Sequence, residues 1–144
     1  MIMKKMILIF ILSLVLFLCL CACNQKVGNV KIIADDQEYI PISNWIFSLN
    51  KDGVAADGAR KQPKEIADEI AAIPLKDSIS ILIDGKTVGQ PYYSLFNDKF
   101  DEIYYGNEHF EVPAGKGEFI CVFEVVWGNE NQYEGYQYFF KFIK

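Results

Sequence analysis

Histidine is nearly missing from this 144-residue chain, which has one, and cysteine is limited to four. Basic residues are also in short supply: 14 Lys and Arg face 19 Asp and Glu. One His and the one cysteine that lies beyond the N-terminal segment, Cys121, cannot build a tetrahedral zinc site without two carboxylates. An acidic balance argues against a nucleic-acid partner or an anionic-membrane binder, both of which need a basic face. What is abundant is apolar and aromatic matter, with 11 Phe, 8 Tyr and 2 Trp. That is enough to pack a core and too much for a disordered chain.

The N-terminus has a layout of its own. Met1 to Lys5 carries two lysines, Met6 to Leu20 is apolar apart from Ser13, and Leu20-Cys21-Ala22-Cys23 follows. A positive start, an apolar middle and a small residue before a cut are the parts of an export signal. With Leu three residues before Cys23 and Ala just before it, the segment resembles the signal of small bacterial lipoproteins of the Gram-positive kind. Cys19 and Cys21 fit less well, because Leu18 and Leu20 would then precede the cut. The resemblance implies a signal peptide over 1–22, lipidation of Cys23, a tether over 23–29 and a domain over 30–144. It also implies attachment at the extracytoplasmic face of the cell membrane. The competing reading is an uncleaved anchor helix over Met6 to Cys23, at the short limit for a bilayer span.

Without Lys4 and Lys5 the exported part carries 12 basic and 19 acidic side chains, a net of −7. With Cys23 lipidated, Cys121 alone remains, so the domain has no internal disulfide and reads as a monomer held by its core. Cys121 lies in an alternating apolar run and reads as a small buried hydrophobe. A catalytic thiol there would need His109.

Beyond the tether the pattern is mostly that of strands. Val30–Ala34, Tyr39–Ile42, Trp45–Leu49, Ser78–Asp84 and Pro91–Phe96 are short β-prone runs, and Asp84-Gly85 reads as a hairpin turn into Lys86–Val88. Gly117–Trp127 alternates with both faces apolar, which predicts a central strand. Tyr136–Ile143 alternates likewise, and residues 128–135 between them are turn-forming, so the two predict a long antiparallel hairpin. One segment has helical spacing: Pro63 at a first turn, Ile66, Ile70 and Ile73, and Pro74 as a stop predict a helix of about ten residues. Asn50 to Gln62 reads as a mobile loop.

Short strands with Gly- and Pro-rich turns predict an all-β sandwich or barrel. Val112-Pro113-Ala114-Gly115-Lys116-Gly117-Glu118-Phe119-Ile120-Cys121 resembles the E–F corner of immunoglobulin-like domains, with Phe119 at the corner Tyr position and Cys121 at that of the second cysteine. The resemblance implies an immunoglobulin-like antiparallel β-sandwich with one short helix, lacking both the disulfide and the corner hydroxyl.

No motif carries chemistry. Gly85-Lys86-Thr87 lacks the earlier glycine of a phosphate-binding loop, and Asn50, Asp52 and Gly53 lack the Glu that closes a calcium loop, since Ala59 stands there. His109 has no recognisable nucleophile motif beside it. No cofactor, metal site or catalytic residue is expected, and the protein reads as non-enzymatic. The aromatic surplus at strand ends and turns suggests contact area for a protein, peptide or glycan ligand at the cell surface. Tyr104, Tyr105, Trp127 and Tyr133 are the candidate binding residues, with Tyr104-Tyr105 and Trp127 expected at the surface because turn residues follow them; the plainer reading has the aromatics filling core edges. The rival readings are an envelope enzyme or cation-dependent binder using Asn97, Asp98, Asp101, Glu102 or His109, and a sensor accessory of an envelope-stress system.

Overall fold

The computed structural model describes residues 27–107 and 110–144. The signal segment, Cys23, most of the tether and His109 lie outside the described residues. The strands, in chain order, are β1 (Asn29–Ala34), β2 (Gln37–Tyr39), β3 (Ile42–Leu49), β4 (Ala55–Asp57), β5 (Ala72–Pro74), β6 (Ile79–Asp84), β7 (Tyr92–Phe96), β8 (Glu102–Gly106), β9 (Glu118–Asn129) and β10 (Gln132–Ile143). A single helical turn, α1 (Pro63–Ile66), stands between β4 and β5.

The strands form two packed sheets, so the expected all-β sandwich is the fold. The smaller sheet has the order β2-β1-β6 and the larger β4-β3-β10-β9-β7-β8, with β5 parallel to β10. Alternation in β9 and β10 explains the arrangement. Phe119, Cys121, Phe123, Val125 and Trp127 on β9, with Tyr138, Phe140 and Phe142 on β10, face Val30, Ile32 and Ala34 of β1 in the main core. The opposite face supplies Ile120, Val122 and Phe139, which Ile66, Ala67 and Ile70 cover. Because β9 is apolar on both faces it belongs in the interior of its sheet, and it lies between β10 and β7. Each such side chain, fully buried, contributes about 1.5–3 kcal/mol.

The β9–β10 hairpin is longer than expected. Asn129 pairs with Gln132, so the turn is only Glu130-Asn131, and the Asn129 side chain accepts the amides of Asn131 and Gln132. The run Tyr39–Ile42 divides into the end of β2 and the start of β3. Asp84-Gly85 is not a hairpin turn. The chain crosses there from one sheet to the other, with Thr87 bridging Trp127 and the Val88 amide donating to the Val126 carbonyl. The crossing is tight because Trp127 lies beneath it: a side-chain carbon at Gly85 would stand 2.8 Å from the Trp127 ring and from the Gly28 backbone.

The predicted ten-residue helix stops after one turn. The Lys141 ammonium donates to the Ala67 carbonyl, at 3.0 Å, and the Glu69 amide closes a tight turn onto Ile66. Pro74 biases Ile73 toward extended backbone, where it pairs with Phe142. The spacing of Ile66, Ile70 and Ile73 therefore serves two layers: the first two cover the outer apolar patch and the third enters the main core.

The stretch 50–62, read as a mobile loop, is largely bound to the larger sheet. β4 pairs with β3, the Asn50 carboxamide accepts the amides of Asp52 and Val54, and the Gly58 amide donates to the Ile46 carbonyl. Of the stretch Val112 to Cys121, where the immunoglobulin-like corner was expected, Glu118 to Cys121 begins β9; Phe119 is buried and stacks on Phe142. The centre of the larger sheet has the order β7-β9-β10, with β3 beyond β10 and β8 beyond β7.

Candidate functional site

On the outer face of the larger sheet a groove of ≈ 520 Å³ runs beside the apolar patch under α1. Its floor comes from alternate residues of β7 and β9, among them Ser94 and Val122. One wall is Tyr92 with Tyr105, and the other is the segment Arg60 to Pro63.

The second wall is held by three side chains from β3, β9 and β10. Gln137, buried, accepts the Lys61 amide through Oε1 at 2.9 Å and donates to the Lys61 carbonyl at 3.4 Å. Asn44 donates to that same Oε1 and to the Ala59 carbonyl. Glu124 takes Arg60 in a two-pronged pair, Nε to Oε1 at 2.9 Å and Nη2 to Oε2 at 3.3 Å. The carboxylate hydrogen bond raises the guanidinium's already high pKa, so Arg60 stays charged. The guanidinium also sits 5.8 Å from the centre of the Phe47 ring. That ring can lie where it does because residue 135 is glycine: a side-chain carbon there would stand 2.6 Å from a Phe47 ring atom. Glu65 anchors the last part of the wall by accepting the Gln62 amide.

The aromatic wall follows from register. Ser94 pairs with Tyr105 and Tyr92 with Glu124, so Tyr92, Ser94 and Tyr105 project on the outer face. The Tyr92 and Tyr105 rings stack with centroids 5.7 Å apart and planes 14° apart, yet the two residues remain 50% and 66% exposed. Two large rings held against each other in water present area that a ligand can cover. Glu102 stands near them, on β8.

The four expected binding residues do not form one site. Tyr105 lines the groove. Tyr104, its neighbour in sequence, points the other way and packs on the main core. Trp127, expected at the surface, is 1% exposed, and its Nε1 donates to the Tyr138 hydroxyl at 2.9 Å. The turn residues that suggested exposure lie past it, while Trp127 itself keeps the inward parity of Phe123 and Val125. Tyr133 packs edge-on against Phe47, on the β3 side of the sheet and away from the β7–β8 edge. Tyr92 belongs to the aromatic surplus at strand ends, outside those four residues. Arg60, Gln137 and Glu124 gave no local signal, since Arg60 and Glu124 are 64 positions apart.

The acidic loop between β7 and β8 is internally bonded. Asn97 Oδ1 accepts the amides of Lys99 and Asp101, and its Nδ2 donates to the Asp101 carboxylate. Among the described residues no three His, Cys, Asp or Glu side chains are grouped to hold one metal ion. Cys121 is fully buried, and burial raises its thiol pKa well above the ordinary value, the opposite of what a nucleophile needs. A larger hollow of ≈ 760 Å³ opens beside β6 and is bordered by Asn107 and Phe110, which flank residues outside the described ones. The groove on the outer face is lined by described residues throughout.

No protein-family model, curated protein or solved structure matches this chain.

Proposed function

We propose that this protein is a lipid-anchored, extracytoplasmic binding module without an enzymatic activity of its own. Cys23 carries the lipid, and a small immunoglobulin-like sandwich holds a protein, peptide or glycan ligand at the cell surface. The observation that carries the binding part is the groove whose aromatic wall, Tyr92 on Tyr105, stays exposed while its opposite wall is fixed by Gln137, Asn44 and Glu124. A wall fixed before binding lowers the ordering cost of association. The anchor part rests on Leu20-Cys21-Ala22-Cys23 after an apolar run with a lysine-bearing start. Two acyl chains, at about 0.8 kcal/mol per buried methylene, give lasting attachment where one is marginal.

Labelling of cells with a palmitate analogue tests the anchor. The wild-type chain should carry the label and Cys23→Ser should not; label retained in the variant would overturn the assignment. The binding part is tested by 15N–1H NMR titration with peptides, cell-wall fragments and short glycans. Shifts gathered at Tyr92, Ser94, Tyr105 and Arg60 are the expected result, and shifts only at Asp98 to Glu102 on adding calcium would favour a cation-dependent module instead.

A further inference from the structure

We infer that the outer groove takes a short, neutral glycan, with one pyranose ring lying on the exposed tyrosine wall; the inference rests on the binding-module reading and names its ligand class. Charge is the first argument. The ionic groups of the groove are Arg60, Lys61, Glu102 and Glu124, two of each sign, and Arg60 and Glu124 are already joined in a two-pronged pair. An anionic or cationic ligand therefore finds no net field in the groove to draw it in, and a charged ligand would compete with an existing pair. Neutral chemistry fits such a site.

Ring chemistry is the second argument. One face of a pyranose is a patch of C–H groups, which is apolar and slightly positive and so matches the negative face of an aromatic ring. Tyr92 and Tyr105 form a continuous aromatic wall whose rings are fixed by their mutual stacking, so covering them costs little side-chain freedom. The rest of a sugar is hydroxyl, a donor and an acceptor at once. The residues that line the groove carry both, Ser94, Lys61 and Glu102 among them. Hydroxyl and carboxylate groups beside an exposed ring recognise a polyol by many weak directional bonds.

Size and fixity are the third. A volume of ≈ 520 Å³ falls within the range of small-molecule sites, about 300–1,000 Å³, and has room for two or three sugar units. An extended peptide would gain most from a free strand edge beside its side-chain pockets. This groove lies on the face of the sheet, over β7 and β9, which are both paired on either side. The face favours a ring stacked flat over a strand added alongside.

The test uses the full-length lipidated protein in detergent micelles and saturation-transfer NMR, with cellotriose and chitotriose as neutral probes, trigalacturonate as an anionic one and a proline-rich peptide as the rival class. The neutral trisaccharides should bind, and Tyr92→Ala and Tyr105→Ala should each weaken them about tenfold. Tyr105→Phe, which keeps the ring, should stay close to wild type. Ser94→Trp, which fills the floor, should abolish binding, with circular dichroism melting curves showing that each variant is folded. Absence of binding by both neutral probes, equal affinity in the alanine variants, or tighter binding of trigalacturonate would each overturn the glycan assignment. Binding of the peptide alone, lost in Tyr92→Ala, would overturn it while leaving the binding-module reading in place. The lipid label, read on the same preparations, separates failure of the anchor from failure of the ligand.

Discussion

Asp35 does two jobs in the turn between β1 and β2. Its backbone and that of Asp36 have φ values of 47° and 63°, the left-handed pair that a two-residue hairpin of right-handed twist requires. Its carboxylate meanwhile accepts the amides of Lys76, Asp77 and Ser78 at 2.7, 2.9 and 3.1 Å, and ties the β1–β2 turn to the start of β6. The three backbone hydrogen bonds, that from Lys76 first, hold its pKa below the ordinary 3.8. A carboxyl whose folded pKa is depressed contributes stability that is fully present above its unfolded pKa and lost as pH falls through the folded one. Melting temperature should therefore fall on acidification below about pH 4, and less steeply in Asp35→Asn than in the wild type; identical acid profiles would show that the three bonds do not matter. Asp36 has no such second role. Asp36→Gly relieves the left-handed strain of a side-chain-bearing residue and should raise stability by about 0.5 kcal/mol, readable as a higher urea midpoint with unchanged slope.

At the scale of elements, the segment Ala59 to Pro63 is held in extended form against the larger sheet by side chains rather than by strand pairing. Gln137 is the centre of that arrangement, buried and bonded to both the amide and the carbonyl of Lys61. Gln137→Leu leaves those two backbone groups without a partner and should cost about 1–3 kcal/mol. It should also raise hydrogen exchange at the Lys61 amide selectively. Uniformly faster exchange over the chain would instead mean a general loss of stability. Ile66 and Ile70 supply the complementary apolar fastening, since they close the outer patch over Ile120, Val122 and Phe139. The helix can be one turn long because its purpose in the fold is to place those two residues and then release the chain to β5. The groove inherits its second wall from this fastening.

For the whole molecule, the proposed lipid on Cys23 makes a prediction about orientation, set by where the chain enters the sandwich. Val27 and Gly28 lead into β1 beside Asp84 and over Trp127, at the end that also carries the Glu130-Asn131 turn. Cys23 precedes Val27 by four residues, a reach of at most about 14 Å. The proposed lipid would set that end at the bilayer and turn the opposite end, with Asp35, Asp77 and the Asn97–Asp101 loop, away from it. Spin-labelled lipid in vesicles should broaden the amides of Asn129 to Gln132 and leave Asp98 to Asp101 sharp. Broadening of both to the same degree would show that the domain tumbles freely on its tether. The exposed tyrosine wall stands on the flank, accessible in either case.

Much of this was legible in the amino-acid sequence, because alternation is a local property. The parity of Phe119 to Trp127 and of Tyr136 to Phe142 determined two long strands, which residues share a face, and that β9 was interior. Short β-prone runs determined the class of fold, and Cys121, the one cysteine of the described residues, was legible as a small buried hydrophobe. Three things depended on contacts across the chain. Helical spacing in Ile66, Ile70 and Ile73 was real, yet Lys141 at the Ala67 carbonyl and the pairing of Ile73 with Phe142 gave the last residue to a strand. Trp127 preceded turn residues, yet the crossing at Gly28 and Gly85 covers its ring and the Tyr138 hydroxyl takes its Nε1, so it lies in the core. The groove needed Arg60 brought to Glu124 and Lys61 to Gln137, pairs 64 and 76 positions apart that no local pattern announces. A sequence determines which faces are apolar, because that is written residue by residue; which polar groups meet is decided only when the sheets close, because hydrogen bonds form between whatever the fold brings within about 3 Å.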